Sequence, residues 1–377
     1  MAFEINIEEL TFEVTERVKG YLAELIRMGG SDLHIKSGSP IMGRIKGDIV
    51  RISKEVMERN DALTMAKEML RSRFGELIER KDVDFTFQLN DDYRFRVNAF
   101  FQKDGLSAVF RTIPTDIMSI EKLNLPIALN KISSYKRGLV LVTGITGSGK
   151  STTLAAIIDA INNKQKSHII TIEDPIEFIH QDKNCLISQR SIGEDAVSFA
   201  SSLRSALRED PDIILVGEMR DLETVEIALH AAETGHLVLS TLHTMDAKET
   251  INRVIGMFDR MEQNRIRLTL ASTIVSIISQ RLVKTLDGKR TAAVEILMNT
   301  PRIVDLIAKN RDDEIRNAMQ EGTEIYGTQT FDQSLLGLFN AGKISEEEAI
   351  ANASIADDLQ IRIRGAIAEK NDTPTGG

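Results

Sequence analysis

The run GITGSGKS, Gly144 to Ser151, satisfies G-x-x-x-x-G-K-[S/T], follows the strand-like GLVLVTG and precedes the helix-like TLAAIIDAI. In that setting glycines let the backbone curl so that successive amides of Thr146, Gly147, Ser148, Gly149, Lys150 and Ser151 face phosphate oxygens, and the following helix adds its positive end. Lys150 is expected on the β- and γ-phosphates of a nucleotide, the Ser151 hydroxyl on Mg2+, and Thr152 on the α-phosphate.

Hydrolysis asks for more than binding, namely a group that positions water. The run ILVGEMRD is a Walker-B-like strand ending in Glu218, and a glutamate there can orient the attacking water and take its proton, with Mg2+ handled partly by other carboxylates. TIEDPIEF offers Glu173, Asp174 and Glu177 at the end of a second strand, with Glu173 as the candidate metal ligand; any one of these acids alone serves equally well as a helix cap or surface charge. His236 and His243 flank LVLSTL, where a period of two puts them on opposite faces of a strand. Each reads either as a hydrogen-bonded structural residue or as a group on the γ-phosphate side, His243 more readily because it stands at the carboxyl end. Arg94, Arg96 and Arg111 lie on strands far upstream. They pair with solvent or with Asp91 and Asp92, or else Arg96 and Arg111 reach the phosphates as arginine fingers when domains or subunits close.

Those residues need elements to hold them. In residues 8 to 28, Leu10, Val14, Val18, Leu22, Leu25 and Ile26 recur at helical spacing until Gly29-Gly30 stops them. Short alternating stretches at 31–35 and 41–50, a helix from about Lys54 to Arg80, and period-two runs from Val83 through Phe110 complete a small α+β domain over 1–112. Residues 113–136, with Pro114 and Pro126, are expected to form a linker. From 137 to 290, apolar runs at 138–144, 168–174, 212–218 and 236–244 alternate with helical segments, as in a parallel sheet covered on both faces. A helical extension is expected over 291–370 and a disordered tail over 371–377.

Composition narrows the function classes. The chain has 377 residues with 47 Lys plus Arg against 56 Asp plus Glu, a formal charge of −9 that argues against a protein that coats nucleic acid. Its single cysteine, Cys185, rules out an internal disulfide and a four-cysteine zinc module. No run reaches the ~18 apolar residues needed to span a bilayer, and the acidic start MAFEINIEEL is unlike a signal peptide, so the expected location is cytoplasmic.

Taken together, these blocks resemble the PilT/PilU family of type IV pilus retraction ATPases, within the wider secretion ATPase superfamily. GGSDLHI is similar to the family's amino-terminal motif, RFRVNAFFQ and AVFRTIP to its arginine-bearing strands, GITGSGKSTTLAA to its Walker A, ITIEDPIEF to its Asp box, LREDPDIILVGEMRDLET to its Walker B region, and AAETGHLVLSTLHT to its His box. The resemblance covers nearly the whole chain. It implies an α/β fold: a RecA-like P-loop NTPase core with an N-terminal PAS-like α+β domain and a C-terminal helical extension. It further implies a homo-hexameric ring that hydrolyses ATP with Mg2+ to power pilus retraction and twitching motility, docked on an inner-membrane platform protein at the cytoplasmic face, beside a paralogous pilus ATPase and without nucleic acid. By position, Glu218 resembles the catalytic glutamate, Glu173 and Glu177 the Asp-box acids, His236 and His243 the His-box pair, and Arg96 and Arg111, with Arg94, the family's arginines. PRIVDLIAKN stands where PilT-type members carry AIRNLI, the chain's end is closer to the PilU branch, and GEMRDLET is closer to PilT. Retraction by this chain alone, an accessory ring dependent on another motor, an assembly or secretion ATPase, and a nucleic-acid motor are the readings to separate.

Overall fold

The protein is described here by a computed structural model covering residues 10–90, 93–113 and 117–372. It divides into two compact units, one of residues up to 116 with 177–179, the other of residues 117–176 and 180 onward.

In the first unit, α1 (Glu13–Arg27) buries Val18, Leu22 and Leu25 at the expected spacing. It starts later than the pattern from residue 8 suggests, because Phe12 takes a left-handed backbone at φ 58° just before it; residues 8 and 9 lie outside the described chain. Met28 and then Gly29, at φ +67°, end it. The strands β1 (Gly30–Lys36), β2 (Pro40–Ile45), β3 (Asp48–Val56), β4 (Asp82–Gln88), β5 (Arg94–Gln102) and β6 (Gly105–Ile113) form one antiparallel sheet in the order β3-β2-β1-β6-β5-β4. The helix expected over 54–80 is corrected. Pairing of β3 with β2 continues to Val56 opposite Pro40, α2 begins only at Arg59, and Arg71 at φ 52° breaks the helix after Leu70 before α3 (Phe74–Arg80) resumes it. Phe95, Val97, Phe110, Leu33 and Ile35 turn to one face and bury against the helices. The opposite face carries the charged partners of those alternating positions.

In the second unit, β7 (Gly138–Thr143), β8 (His168–Glu173), β10 (Ile213–Val216) and β11 (Leu237–Leu242) are the four parallel strands anticipated from the apolar runs. The sheet is wider than that. Its order is β13-β12-β7-β11-β10-β8-β9, with β9 (Leu186–Ser191) parallel at one edge and β12 (Ile274–Lys284) parallel to β7 but antiparallel to β13 (Arg290–Met298). The expectation of helix after Lys289 therefore fails over 290–298, and the boundary drawn at 290 falls at the start of a sheet strand. The nine registered pairs with β12 decide the conformation of RTAAVEILM, whose own polar and small residues do not show it.

Helices α4 (Lys150–Asn162), α5 (Phe199–Ala206), α6 (Leu222–Glu233), α7 (Ala247–Gly256) and α8 (Gln263–Thr273) cover the two faces. The stretch expected to be a linker is packed over its described part: Ile120, Leu125, Leu129 and Ile132 are buried with Ile157 and Ile161 of α4. Beyond β13, the short helices from α9 (Pro301–Ala308) through α10 (Ile315–Glu321), α11 (Thr323–Tyr326), α12 (Phe331–Asn340) and α13 (Glu346–Ala351) to α14 (Ala356–Asp372) form the extension. Phe331, Leu335, Ile344, Leu359 and Ile363 pack on Val283 and Ala293 of the β12–β13 hairpin. Of the expected disordered tail, residues 371 and 372 continue α14 and residues 373–377 lie outside the described chain.

Candidate nucleotide site

The four parallel strands end at one edge of the sheet, where open α/β sheets gather ligand-contacting groups. β7 is wholly buried and delivers the chain to Gly144. Gly144 has φ +139°, and a Cβ there would lie 2.5 Å from both the Gln280 carbonyl and the Ser148 hydroxyl, so no side chain is tolerated. Gly147 and Gly149 also take positive φ, and Gly149 caps α4 with no side-chain acceptor, which leaves the first amides of that helix as donors. Ser148 is buried and its Oγ has no hydrogen-bond partner, an orphaned polar atom inside the loop. The Lys150 ammonium lies over the loop, donating to the carbonyls of Gly144 (2.9 Å) and Ile145 (3.1 Å). One expected amide is engaged within the loop, since Ser148 N–H donates to the Ile145 carbonyl. Thr146 is exposed; Ser151 and Thr152 are partly exposed on the first turn of α4.

Two strands away, β10 ends at Val216 and Glu218 follows, about 10 Å from β7 at normal strand spacing. Its carboxylate is mostly buried. Oε2 accepts from Arg220 Nη2 at 2.7 Å, and Oε1 lies 3.3 Å from His243 Nε2. Burial pushes this carboxyl up, yet the Arg220 hydrogen bond and charge, with His243 behind them, outweigh it and hold the group below the usual range. His243 is delivered by β11, whose Leu242 pairs with Thr143. Glu173, at the end of β8, accepts from Thr171 Oγ1 at 2.7 Å and Gln189 Nε2 at 3.3 Å. Among the described residues no group of three His, Cys, Asp or Glu side chains is placed to hold a metal.

His236 is not part of this gathering in the single chain. It precedes Leu237, which pairs with Gly138 at the start of β7, so it stands at the opposite edge of the sheet, about 20 Å from the loop by strand rise. Its backbone carbonyl accepts from Gly138 and its Nδ1 lies 3.0 Å from the Ala231 carbonyl. Glu177 groups with the first unit, as do the three arginines. There Arg111 Nε contacts Asp32 Oδ1 at 2.7 Å, Arg96 lies 3.7 Å from Asp84, and Arg94 pairs across the ladder with Ile113. Asp91 and Asp92, the alternative partners, are outside the described residues.

Two residues that sequence reasoning passed over belong to the site's surroundings. Arg220 stood in plain sight two positions after Glu218. Gln280 had no such signal, because β12 was not anticipated; its amide donates to Thr153 Oγ1 on α4 at 2.8 Å. The neighbouring Arg281 points the other way, its guanidinium 3.9 Å from the Phe331 ring centroid and bonded to the Asn352 carbonyl.

The family model described as "Type II/IV secretion system protein" matches residues 9–364. The chain belongs to that family. It is 47% identical over 342 residues to a type IV pilus retraction ATPase, PilT, of Pseudomonas aeruginosa, covering 90% of this chain and 98% of that protein. It is 40% identical over 345 residues to the type IV pilus ATPase PilU of the same organism, covering 90% and 89%. A crystal structure of the pilus retraction motor PilT with bound ADP superposes with a TM-score of 0.85 at 41% identity, covering 91% of this chain and 99% of that one. The fold is thus that of a RecA-like secretion ATPase with an N-terminal domain and C-terminal helices.

Proposed function

We propose that this chain is a motor ATPase that hydrolyses ATP to power type IV pilus retraction. The observation that carries the reading is the convergence, at one edge of one sheet, of a cradle for phosphates and an acid suited to activating water. Gly144 to Ser151 supply the cradle and Glu218 the acid. The orphaned Ser148 hydroxyl and the uncapped α4 amides fit a phosphate ligand by their donor chemistry.

Lys150 exchanges loop carbonyls for β- and γ-phosphate oxygens, and Thr152 donates to the α-phosphate. Ser151 fits a Mg2+ that would neutralise charge on the β- and γ-oxygens, a site that takes few protein ligands and several waters, with Glu173 as a further carboxylate. Glu218 orients a water and takes its proton as the water oxygen bonds to the γ-phosphorus and the bridging bond to ADP breaks. His243, held against Glu218, senses the γ-phosphate side. Arg96 and Arg111, with Arg94, supply positive charge to the phosphates, and Glu177 and His236 act where neighbouring parts of an assembly close. That assembly is a homo-hexameric ring at the cytoplasmic face of the inner membrane, acting on a pilus platform protein beside a paralogous ATPase. No helix among the described residues is long and apolar enough to cross a membrane, in keeping with attachment through protein contacts. The chain is divided into 1–112, 113–136, a core of 137–298 that takes in β13, and an extension of 299–370.

Steady-state phosphate release from the full chain and from E218Q tests the chemistry, equal rates removing Glu218 from the step. Complementation of a retraction-deficient strain with this chain alone tests the role. Restored twitching supports retraction, and loss of surface pili on deleting the gene would instead mark an assembly ATPase.

A further inference from the structure

In the observed arrangement both oxygens of Glu218 are engaged, one by Arg220 at 2.7 Å and the other by His243 at 3.3 Å. A general base needs a lone pair facing the water it deprotonates, and each contact takes up one of the directions from which water could approach. The two are unequal. Arg220 is always charged and makes the shorter, charge-assisted bond, whereas His243 is charged only when protonated and sits farther away.

We propose that Arg220 is a latch on Glu218, capping the carboxylate oxygen that the attacking water needs and swinging clear before hydrolysis. This rests on the reading of Glu218 as the base. The loop geometry suits a side-chain motion: the far end of the loop is pinned where Asp221 caps α6 by accepting from Thr224 N–H, while the Arg220 side chain is 69% exposed against 19% for Glu218. An exposed guanidinium holding a buried carboxylate is the partner free to leave. Asp174, at the end of the neighbouring strand, already acts on Arg220 electrostatically and offers it a second anion. Release also strengthens the base, since the Arg220 bond is what most opposes the effect of burial on Glu218. Arg220 is thus a positioning residue, acting through Glu218.

The test is steady-state ATPase kinetics of the full chain as wild type, R220Q, R220K, E218Q and the R220Q/E218Q double variant, with ADP binding on each preparation to show that it has folded. The latch predicts that R220Q raises kcat about fivefold, the scale of one surface ion pair, with KM for ATP unchanged. R220K, which keeps the charge but loses the planar fork, falls between R220Q and wild type. The double variant is as inactive as E218Q. An inactive E218Q together with an R220Q whose kcat is unchanged or lower overturns the latch alone and makes Arg220 a group that aids the transition state. An E218Q with wild-type turnover overturns the reading of Glu218, and the latch with it.

Discussion

Arg96 and Arg111 stand directly opposite each other in the β5–β6 ladder, two guanidinium groups on one exposed face of the sheet. The row continues through Asp32, the register partner of Arg111, to Arg44, the partner of Asp32 on β2. Asp32 thus pairs with Arg111 at 2.7 Å and Arg44 at 3.9 Å, while Arg96 lies 3.7 Å from Asp84. Like charges facing across a ladder are unfavourable, which fits the role proposed for this surface in meeting an anion.

The two arginines should therefore separate by stability while agreeing in function. R96A relieves the repulsion and leaves the melting temperature unchanged or slightly higher. R111A strips the nearly buried Asp32 of its closest charge partner and costs about 1 kcal/mol. Both lower phosphate release. Thermal melts and ATPase rates on the two variants check this, and equal destabilisation by both would contradict it.

Lys150 donates to the carbonyls of Gly144 and Ile145, which places its ammonium over the loop proposed to cradle the phosphates. K150Q is expected to reduce phosphate release by at least ~100-fold. Isothermal titration with ADP should show weakened binding alongside it. Retained turnover would mean that the loop does not handle the γ-phosphate.

The histidines should part company. H243N removes the neighbour of Glu218 and lowers kcat about tenfold or more. H236N removes a contact to the Ala231 carbonyl at the far sheet edge, with a loss of about 1 kcal/mol in stability and no change in affinity for a non-hydrolysable ATP analogue. A weakened analogue affinity in H236N, measured on single subunits, would refute this placement.

Glu295 on β13 is almost completely buried and accepts from Ala247 N–H at 2.8 Å, at the start of α7. Burial pushes its carboxyl up to about 7; the Ala247 hydrogen bond, Arg281 and Arg316 oppose that shift and Asp246 adds to it. The protonated form is thus favoured in the folded chain, so this group's contribution to stability is full below pH 4.5 and is lost as pH rises through 7. The loss amounts to about 3 kcal/mol. E295Q keeps an acceptor for Ala247 without the charge. Urea unfolding should find E295Q more stable than wild type at pH 8 and indistinguishable from it at pH 5, and no gain at pH 8 would sink the argument.

The nucleotide loop was legible because its chemistry lies in contiguous residues with a strand before and a helix after. Glu218 was legible because IILV, buried on both faces, could only be an interior strand. The β12–β13 hairpin was not, since RTAAVEILM owes its conformation to partners rather than to its own alternation. The placement of His236 was within reach: the six residues of LVLSTL separate it from His243, and an extended segment of that length spans the sheet from edge to edge. Arg71 shows the opposite limit, a helix-forming residue whose φ of 52° breaks the run between α2 and α3 with nothing in its own type to announce it.

Consecutive residues on a strand look in opposite directions, and on β12 this places Gln280 against α4, at the foot of the nucleotide loop, and Arg281 against Phe331 and Asn352 in the carboxyl-terminal helices. A single peptide unit is therefore a wall common to two rooms. Because both side chains hang from that backbone, a shift of the β12 main chain at this point carries Gln280 beside the phosphate cradle and Arg281 beside the helical extension together.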